Sequence, residues 1–232
     1  MRIGLVVVAT GKYQRFVPDL WDSAQTFFLY GHDVDLLLLT DYWSEPDERI
    51  RVLHTPHLPW PGPTLRRYHS LLAYRDVALQ YDYLFQCDAD MAFVSPIGEN
   101  DVIPCGGRSG LVATIHPGFW NKPSAQFSYE NRYQSMAYIP RGSGDKYYAG
   151  GFQGGTAESF IHAAETIADW IDGDAQRGIT AVWHDESHWN RYLFENPPSL
   201  ELDPGYCYPE SWQLPFIKRL VALDKDHAEM RA

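Results

Sequence analysis

Five side chains in the segment 181–188 could do chemistry together: Trp183, His184, Asp185, Glu186 and His188. An indole beside two carboxylates and two imidazoles suits a site that handles a sugar. The flat ring stacks on a pyranose, and a carboxylate beneath an anomeric carbon stabilises or traps an oxocarbenium-like centre. Glu186 is the candidate for that carboxylate. Upstream, the apolar run Tyr83-Leu84-Phe85 leads through Gln86 and Cys87 into Asp88-Ala89-Asp90. Alternate residues of an extended segment point to one side, so Asp88 and Asp90 share a direction and Ala89 faces away. If the strand is parallel, its carboxyl end opens on the crevice where α/β sheets bind ligands. Two carboxylates there suit a hard cation, Mn2+ or Mg2+, that bridges a diphosphate and assists a nucleotide leaving group as a Lewis acid.

Other readings of the same residues stand beside this one. His184 and His188 are spaced i and i+4, as two zinc ligands on one helical face would be, which makes a zinc-dependent hydrolase the rival enzyme. The metalloprotease pattern needs glutamate directly after the first histidine, and Asp185 takes that place here. A third reading has the imidazoles and acids only hydrogen-bonding one another at a helix start. A D-x-D can equally be two solvated acids in a turn, and the Trp and Tyr content would also serve a non-catalytic carbohydrate-binding module. The run Gly150-Gly151-Phe152-Gln153-Gly154-Gly155 lacks the Lys-Ser/Thr of a P-loop and the spacing of a dinucleotide fingerprint. It reads as a tight turn, or as a wall that a sugar approaches closely.

These residues need a frame. Residues 3–9 and 36–39 are continuous apolar runs, as expected of strands covered on both faces. Between them Leu20, Ala24 and Phe27 or Phe28 recur at helical spacing ahead of Gly31, completing a β-α-β unit. A helix is predicted over 65–79, feeding a strand over 83–87, with a further strand over 111–115. Residues 116–148 carry no clear periodicity and read as irregular structure and short strands around a binding face. Thr156 is placed as an N-cap for a helix whose stripe is Phe160, Ala164, Ile167 and Ile171, closed by Gly173. A short helix follows Glu186 and stops before Pro197. The strands should be largely parallel, giving one α/β domain.

A chain of 232 residues with 45% hydrophobic content fits one domain with a substantial core. A formal charge of −11 argues against a nucleic-acid partner or an anionic membrane surface. Cys87, Cys105 and Cys207 form no C-x-x-C pair, which fits a reducing compartment better than a disulfide framework. Residues 3–9 are too few to span a bilayer, and the polar residues after them are unlike a signal-peptide cleavage site. A cytoplasmic protein without a membrane anchor is the expectation.

Several separated strings then line up in order with one family. From Ile3-Gly4-Leu5 and Gly11-Lys12-Tyr13 they run through Leu65-Arg66-Arg67, Asp88-Ala89-Asp90 and His116-Pro117-Gly118-Phe119. They continue with Gln134-Ser135-Met136-Ala137-Tyr138-Ile139-Pro140, Tyr147-Tyr148-Ala149-Gly150-Gly151-Phe152 and residues 181–188. The chain resembles glycosyltransferase family 6, the family of the histo-blood-group A and B transferases and α-1,3-galactosyltransferase. The resemblance implies a GT-A fold, with a Rossmann-like nucleotide-sugar-binding domain over residues 1–223. Its donor half ends near residue 115 and its acceptor and catalytic half follows, while a mobile tail of residues 224–232 closes over UDP.

The same resemblance implies Mn2+, a UDP-GalNAc or UDP-Gal donor, and retaining transfer to the 3-hydroxyl of a galactose-terminated acceptor. By position, Asp88 and Asp90 hold the metal, with Ala89 between them and Arg67 supporting the donor. Ala9 and Tyr13 meet uracil and ribose, Ala149, Gly150, Gly151, His184 and Asp185 lie on the donor sugar, and Lys225 and Arg231 reach the diphosphate. Glu186 is the nucleophile or oxocarbenium stabiliser and also faces the acceptor, beside His116, Ser128 and Trp183. Small residues at Gly118, Ala149 and Gly151 leave room for an acetamido group and favour UDP-GalNAc. The chain departs from the family at Tyr206-Cys207-Tyr208-Pro209, where relatives place an acceptor-side aspartate after Tyr-x-Trp. That departure speaks against a fucosylated H-type acceptor unless Glu210 compensates.

Overall fold

The computed structural model describes the chain except for Pro46, Arg108, Ala232 and the side chain of Arg231. In chain order its elements are β1 (Arg2–Val8), α1 (Val17–Phe27), β2 (Asp33–Thr40), β3 (Ile50–His54), α2 (Gly62–Leu65), α3 (Arg67–Leu72) and α4 (Arg75–Ala78). Then come β4 (Tyr83–Asp88), β5 (Met91–Phe93), α5 (Glu99–Val102), β6 (Leu111–Ile115), β7 (Tyr148–Thr156) and α6 (Ala157–Gln176). The last are α7 (His184–Glu195), β8 (Leu200–Leu202), β9 (Tyr208–Pro209), β10 (Leu220–Ala222) and α8 (His227–Arg231).

The main sheet has the order β3-β2-β1-β4-β7-β6-β8. Strands β3, β2, β1 and β4 are mutually parallel, β7 is antiparallel to both β4 and β6, and β8 is parallel to β6. The sheet is therefore mostly parallel, as predicted, with β7 alone reversed. A second small sheet, β5-β10-β9, contributes Met91, Phe93 and Leu220 to the core that holds Phe85 and Phe152. Pleating sends alternate residues of β1 into different cores. Ile3, Leu5 and Val7 join Leu20, Phe28, Phe85 and Phe152 beneath α1, whereas Val6 joins Leu84, Tyr68 and the α6 stripe on the other face. Phe160, Ile167 and Ile171 are buried in that second core, each contributing roughly 1.5–3 kcal/mol on the usual area scale.

Three local expectations are corrected. Residues 150–155 are not a turn but the middle of β7, inside the sheet. The absence of side chains is what lets this strand in: a Cβ on Gly154 would lie 2.4 Å from the Leu84 carbonyl oxygen and 2.6 Å from a Phe85 ring carbon. The helix over 65–79 is broken into α2, α3 and α4, with non-helical backbone at Arg66 and Tyr74. The first break lets two consecutive arginines diverge, Arg66 toward Asp172 on α6 and Arg67 into the centre of the molecule. Helix α6 runs past Gly173 to Gln176, and the left-handed glycine after it is Gly178, at φ 70°. Thr156 does cap its start, accepting from the Ser159 N–H at 3.3 Å.

Candidate active site

At the carboxyl ends of β1 and β4 the parallel strands stop and the chain turns away, leaving a cleft of about 840 Å3. Ligand crevices of α/β sheets form at such ends. The first wall is the 10–13 turn, whose backbone is braced where the Gly11 N–H donates to Asp41 at 2.9 Å. Gly11 has φ 56°, and a Cβ there would lie 2.8 Å from the His57 ring, so glycine permits both the turn and its closure against His57.

Arg67 is the hub of the opposite wall. It is almost fully buried, lies 2.9 Å from both Asp88 Oδ1 and Asp185 Oδ2, and donates to the Gly150 carbonyl at 3.0 Å. Despite that approach its N–H is not aligned on Asp185, and neither Asp185 oxygen has a hydrogen-bond partner among the described residues. Burial raises the Asp185 carboxyl to about 6, with the Arg67 charge opposing the shift. Asp90 pairs with the Lys225 ammonium. Among the described residues, the four carboxylates of Asp88, Asp90, Asp185 and Glu186 share the cleft with three Lys and Arg cations, Lys12, Arg67 and Lys225. No group of three or more His, Cys, Asp or Glu among the described residues could hold a metal ion. A pair of carboxylates is nevertheless what a hard cation uses when substrate phosphates and water supply its other ligands, so the donor set fits Mn2+ or Mg2+.

Glu186 is held from two sides. The Tyr147 hydroxyl donates to Oε1 at 2.8 Å and the Gly150 N–H donates to Oε2 at 2.8 Å. Burial raises its carboxyl to about 7, and these two donors work against the shift. Helix α7 is clipped to β7 by Asn190, which accepts from the Tyr148 N–H and donates to both the Tyr148 and Glu186 carbonyls. The clip fixes where Glu186 meets the Gly150 backbone.

Of the predicted residues, Tyr13, Arg67, Asp88, Ala89, Asp90, Gly150, Gly151, Trp183, His184, Asp185, Glu186 and Lys225 line the one cleft. Ala9 and Ala149 are buried beside it, each next in sequence to a lining residue. His116 stands off the cleft behind Tyr147, with ring centroids 5.5 Å apart. Burial lowers its imidazole to about 4, and its Nδ1 accepts from the Gly118 N–H, so the ring is neutral with its proton on Nε2. Ser128 follows the buried Phe127, away from the cleft lining. Gly118 packs on His116 and Trp212, so its small size does not enlarge the cleft directly. Glu210 accepts from the Asp224 N–H at 2.8 Å and so braces the tail. The side chain of Arg231 lies outside the described residues. His188 has a backbone carbonyl on one ring nitrogen and Asp174 on the other, which leaves the zinc reading without its second ligand.

Sequence reasoning missed several lining or supporting residues: Tyr147, Asn190, Lys12, His57 and Trp60. Tyr147 directly precedes the glycine-rich strand and Asn190 stands i+4 from Glu186, so their positions carried a signal. His57 and Trp60 lie in a proline-rich loop that no periodicity marks.

A mostly parallel α/β sheet whose strand ends present paired aspartates in one cleft with a half-buried, hydrogen-bonded glutamate fits a glycosyltransferase of GT-A architecture. Comparison with known proteins agrees. The glycosyltransferase family 6 model matches residues 1–232, and the chain belongs to that family. It is 34% identical over 248 residues to the globoside alpha-1,3-N-acetylgalactosaminyltransferase 1 of Gallus gallus, covering 100% of this chain and 69% of the relative. It is 34% identical over 243 residues to the histo-blood group ABO system transferase 1 of Rattus norvegicus, covering 99% and 68%. The O-antigen biosynthesis glycosyltransferase WbnI of Escherichia coli is 27% identical over 230 residues, covering 97% and 96%. Such relatives imply a nucleotide-sugar donor and a glycan acceptor. No helix among the described residues is long and apolar enough to cross a membrane.

Proposed function

We propose that this enzyme moves GalNAc, or Gal, from its UDP conjugate to the 3-hydroxyl of a galactose-terminated glycan with retention, forming an α-1,3 linkage. The observation that carries the reading is the Glu186 carboxylate, aimed by Tyr147 and Gly150 into the cleft that also holds Asp88 and Asp90. Glu186 is the nucleophile or the oxocarbenium stabiliser. Asp88 and Asp90 would hold Mn2+, which when bound would supply Lewis-acid chemistry toward a diphosphate leaving group. Arg67 keeps Asp88 and Asp185 oriented, and Trp183, half exposed at the cleft, offers a ring face to the acceptor. Gly150 and Gly151 add no side chains to the wall, which supports UDP-GalNAc as the donor.

The test is UDP release with Mn2+ and a panel of galactosides, comparing both donors. Sugar-dependent UDP release with a GalNAc preference is expected. Glycan binding without UDP release from either donor would identify a binding module instead, and a clear UDP-Gal preference would end the volume argument.

A further inference from the structure

We infer that His188 is a positioning residue, doubly protonated, that clamps the backbone of His184 and so aims Asp185 and Glu186 into the cleft. The inference rests on the assignment of Glu186 to the reaction. His188 is buried, with a hydrogen-bonding partner on each ring nitrogen. Nδ1 lies 2.9 Å from the His184 carbonyl oxygen, and Nε2 lies 3.1 Å from Asp174 Oδ2. A carbonyl oxygen only accepts. Asp174 accepts from the Ser135 hydroxyl on Oδ2 and from the Met136 N–H on Oδ1; against the opposing effect of burial, these bonds and the one from His188 hold its carboxyl below the usual range, so it faces His188 as an acceptor. With acceptors on both sides, both ring nitrogens carry protons and the ring is an imidazolium.

The other end of the clamp is the left-handed residue that opens α7. His184 has φ 52°, one of two non-glycine residues with positive φ among those described, and it immediately precedes Asp185 and Glu186. L-residues hold this conformation only when the surroundings enforce it. Three contacts do so here: the His184 N–H donates to the Ala181 carbonyl, the Trp183 N–H donates to Ser187 Oγ at 3.0 Å, and His188 pulls the His184 carbonyl toward Asp174 near the end of α6. Helix α6 runs beyond Gly173 to place Asp174 there. Without the Nδ1 donor of His188, one of the three contacts that hold the left-handed angle is lost, and a return of His184 toward ordinary backbone angles rotates the two carboxylates after it.

Two measurements test this. Nitrogen-15 NMR of the intact wild-type enzyme at neutral pH should show both His188 ring nitrogens protonated, and Asp174→Asn should leave only one protonated. A wild-type ring with one bare nitrogen overturns the inference, whatever the reaction turns out to be. In kinetics, His188→Gln should lower kcat about 100-fold, the scale of a small displacement of reacting groups, with UDP affinity changed little. Placing the same change on His184→Gly, where glycine accepts the left-handed angle, should shrink that loss by about tenfold. Strictly additive effects of the two changes overturn the clamp. If His188→Gln does not fold, the wild-type spectrum and the kcat of Asp174→Asn decide. Because neutral imidazole can still donate from Nδ1 to His184, the latter variant should keep kcat within about tenfold of wild type. A larger loss contradicts the inference.

Discussion

Glu186 combines burial with two hydrogen bonds that favour its charged form, and the balance sets its pH behaviour. Its carboxyl is raised from 4.5 to about 7, so turnover that needs the anion should fall as pH drops through about 7, visible in a kcat/KM profile. The stability effect has the opposite sense. A carboxyl held above its unfolded value binds its proton more tightly in the folded state, so its contribution is present below pH 4.5 and is lost as pH rises from 4.5 through 7. Glu186→Gln removes that loss. The variant should therefore gain roughly 1–3 kcal/mol relative to wild type between pH 5 and pH 8 in ligand-free denaturation, while its turnover disappears. Wild-type turnover in Glu186→Gln would remove the residue from the reaction. Asp88, Asp90 and Glu186 were legible because residue type and spacing announce them. Tyr147 and Asn190 carried only a positional signal, since their roles depend on which backbone groups and side chains they meet across the fold.

At the scale of elements, the glycine-rich strand β7 is the least obvious part of the sequence and among the most constrained parts of the structure. Gly154→Ala should destabilise the fold by about 1–3 kcal/mol, because the added carbon meets backbone at Leu84 and Leu84's neighbour Phe85. A denaturation midpoint unchanged from wild type would show that β4 and β7 can separate at little cost. Strands β1 and β2 were readable as continuous apolar runs because both faces of the sheet are covered, and β4 from its apolar start at Tyr83-Leu84-Phe85. Strand β7 offers few side chains and so carries almost no periodicity. The end of α6 was misplaced for a related reason: Gly173 looks like a stop, yet its Cβ position packs 3.4 Å from Met136 on an intact helix.

Across the whole molecule, the tail returns to the cleft opened by the first strand. Lys12 donates to the Glu229 carbonyl at 2.8 Å, Arg15 pairs with the Glu229 carboxylate at 2.8 Å, Met230 is buried, and Lys225 sits on Asp90. Lys12 and Lys225 line the cleft, and on the proposed UDP-sugar reading they would face the charge that develops on the diphosphate. Removing residues 224–232 should cut kcat/KM by at least about tenfold while leaving the unfolding transition nearly in place. Equal kcat/KM in the shortened protein would mean that the tail is a bystander. The sequence made the overall class plain through its ordered strings, but the docking of the tail on Lys12 and Arg15 joins residues more than 200 positions apart, which no local pattern records.

Strand β7 comes late in the chain yet lies between β4 and β6, which precede it. A nascent chain that has emerged only through residue 115 therefore leaves one edge of β4 and both edges of β6 without their partners, a state prone to pairing with other chains. Cotranslational assembly must wait for the glycine-rich segment, and exchanging the first 115 residues between two homologous enzymes would give each hybrid a seam through the middle of its sheet.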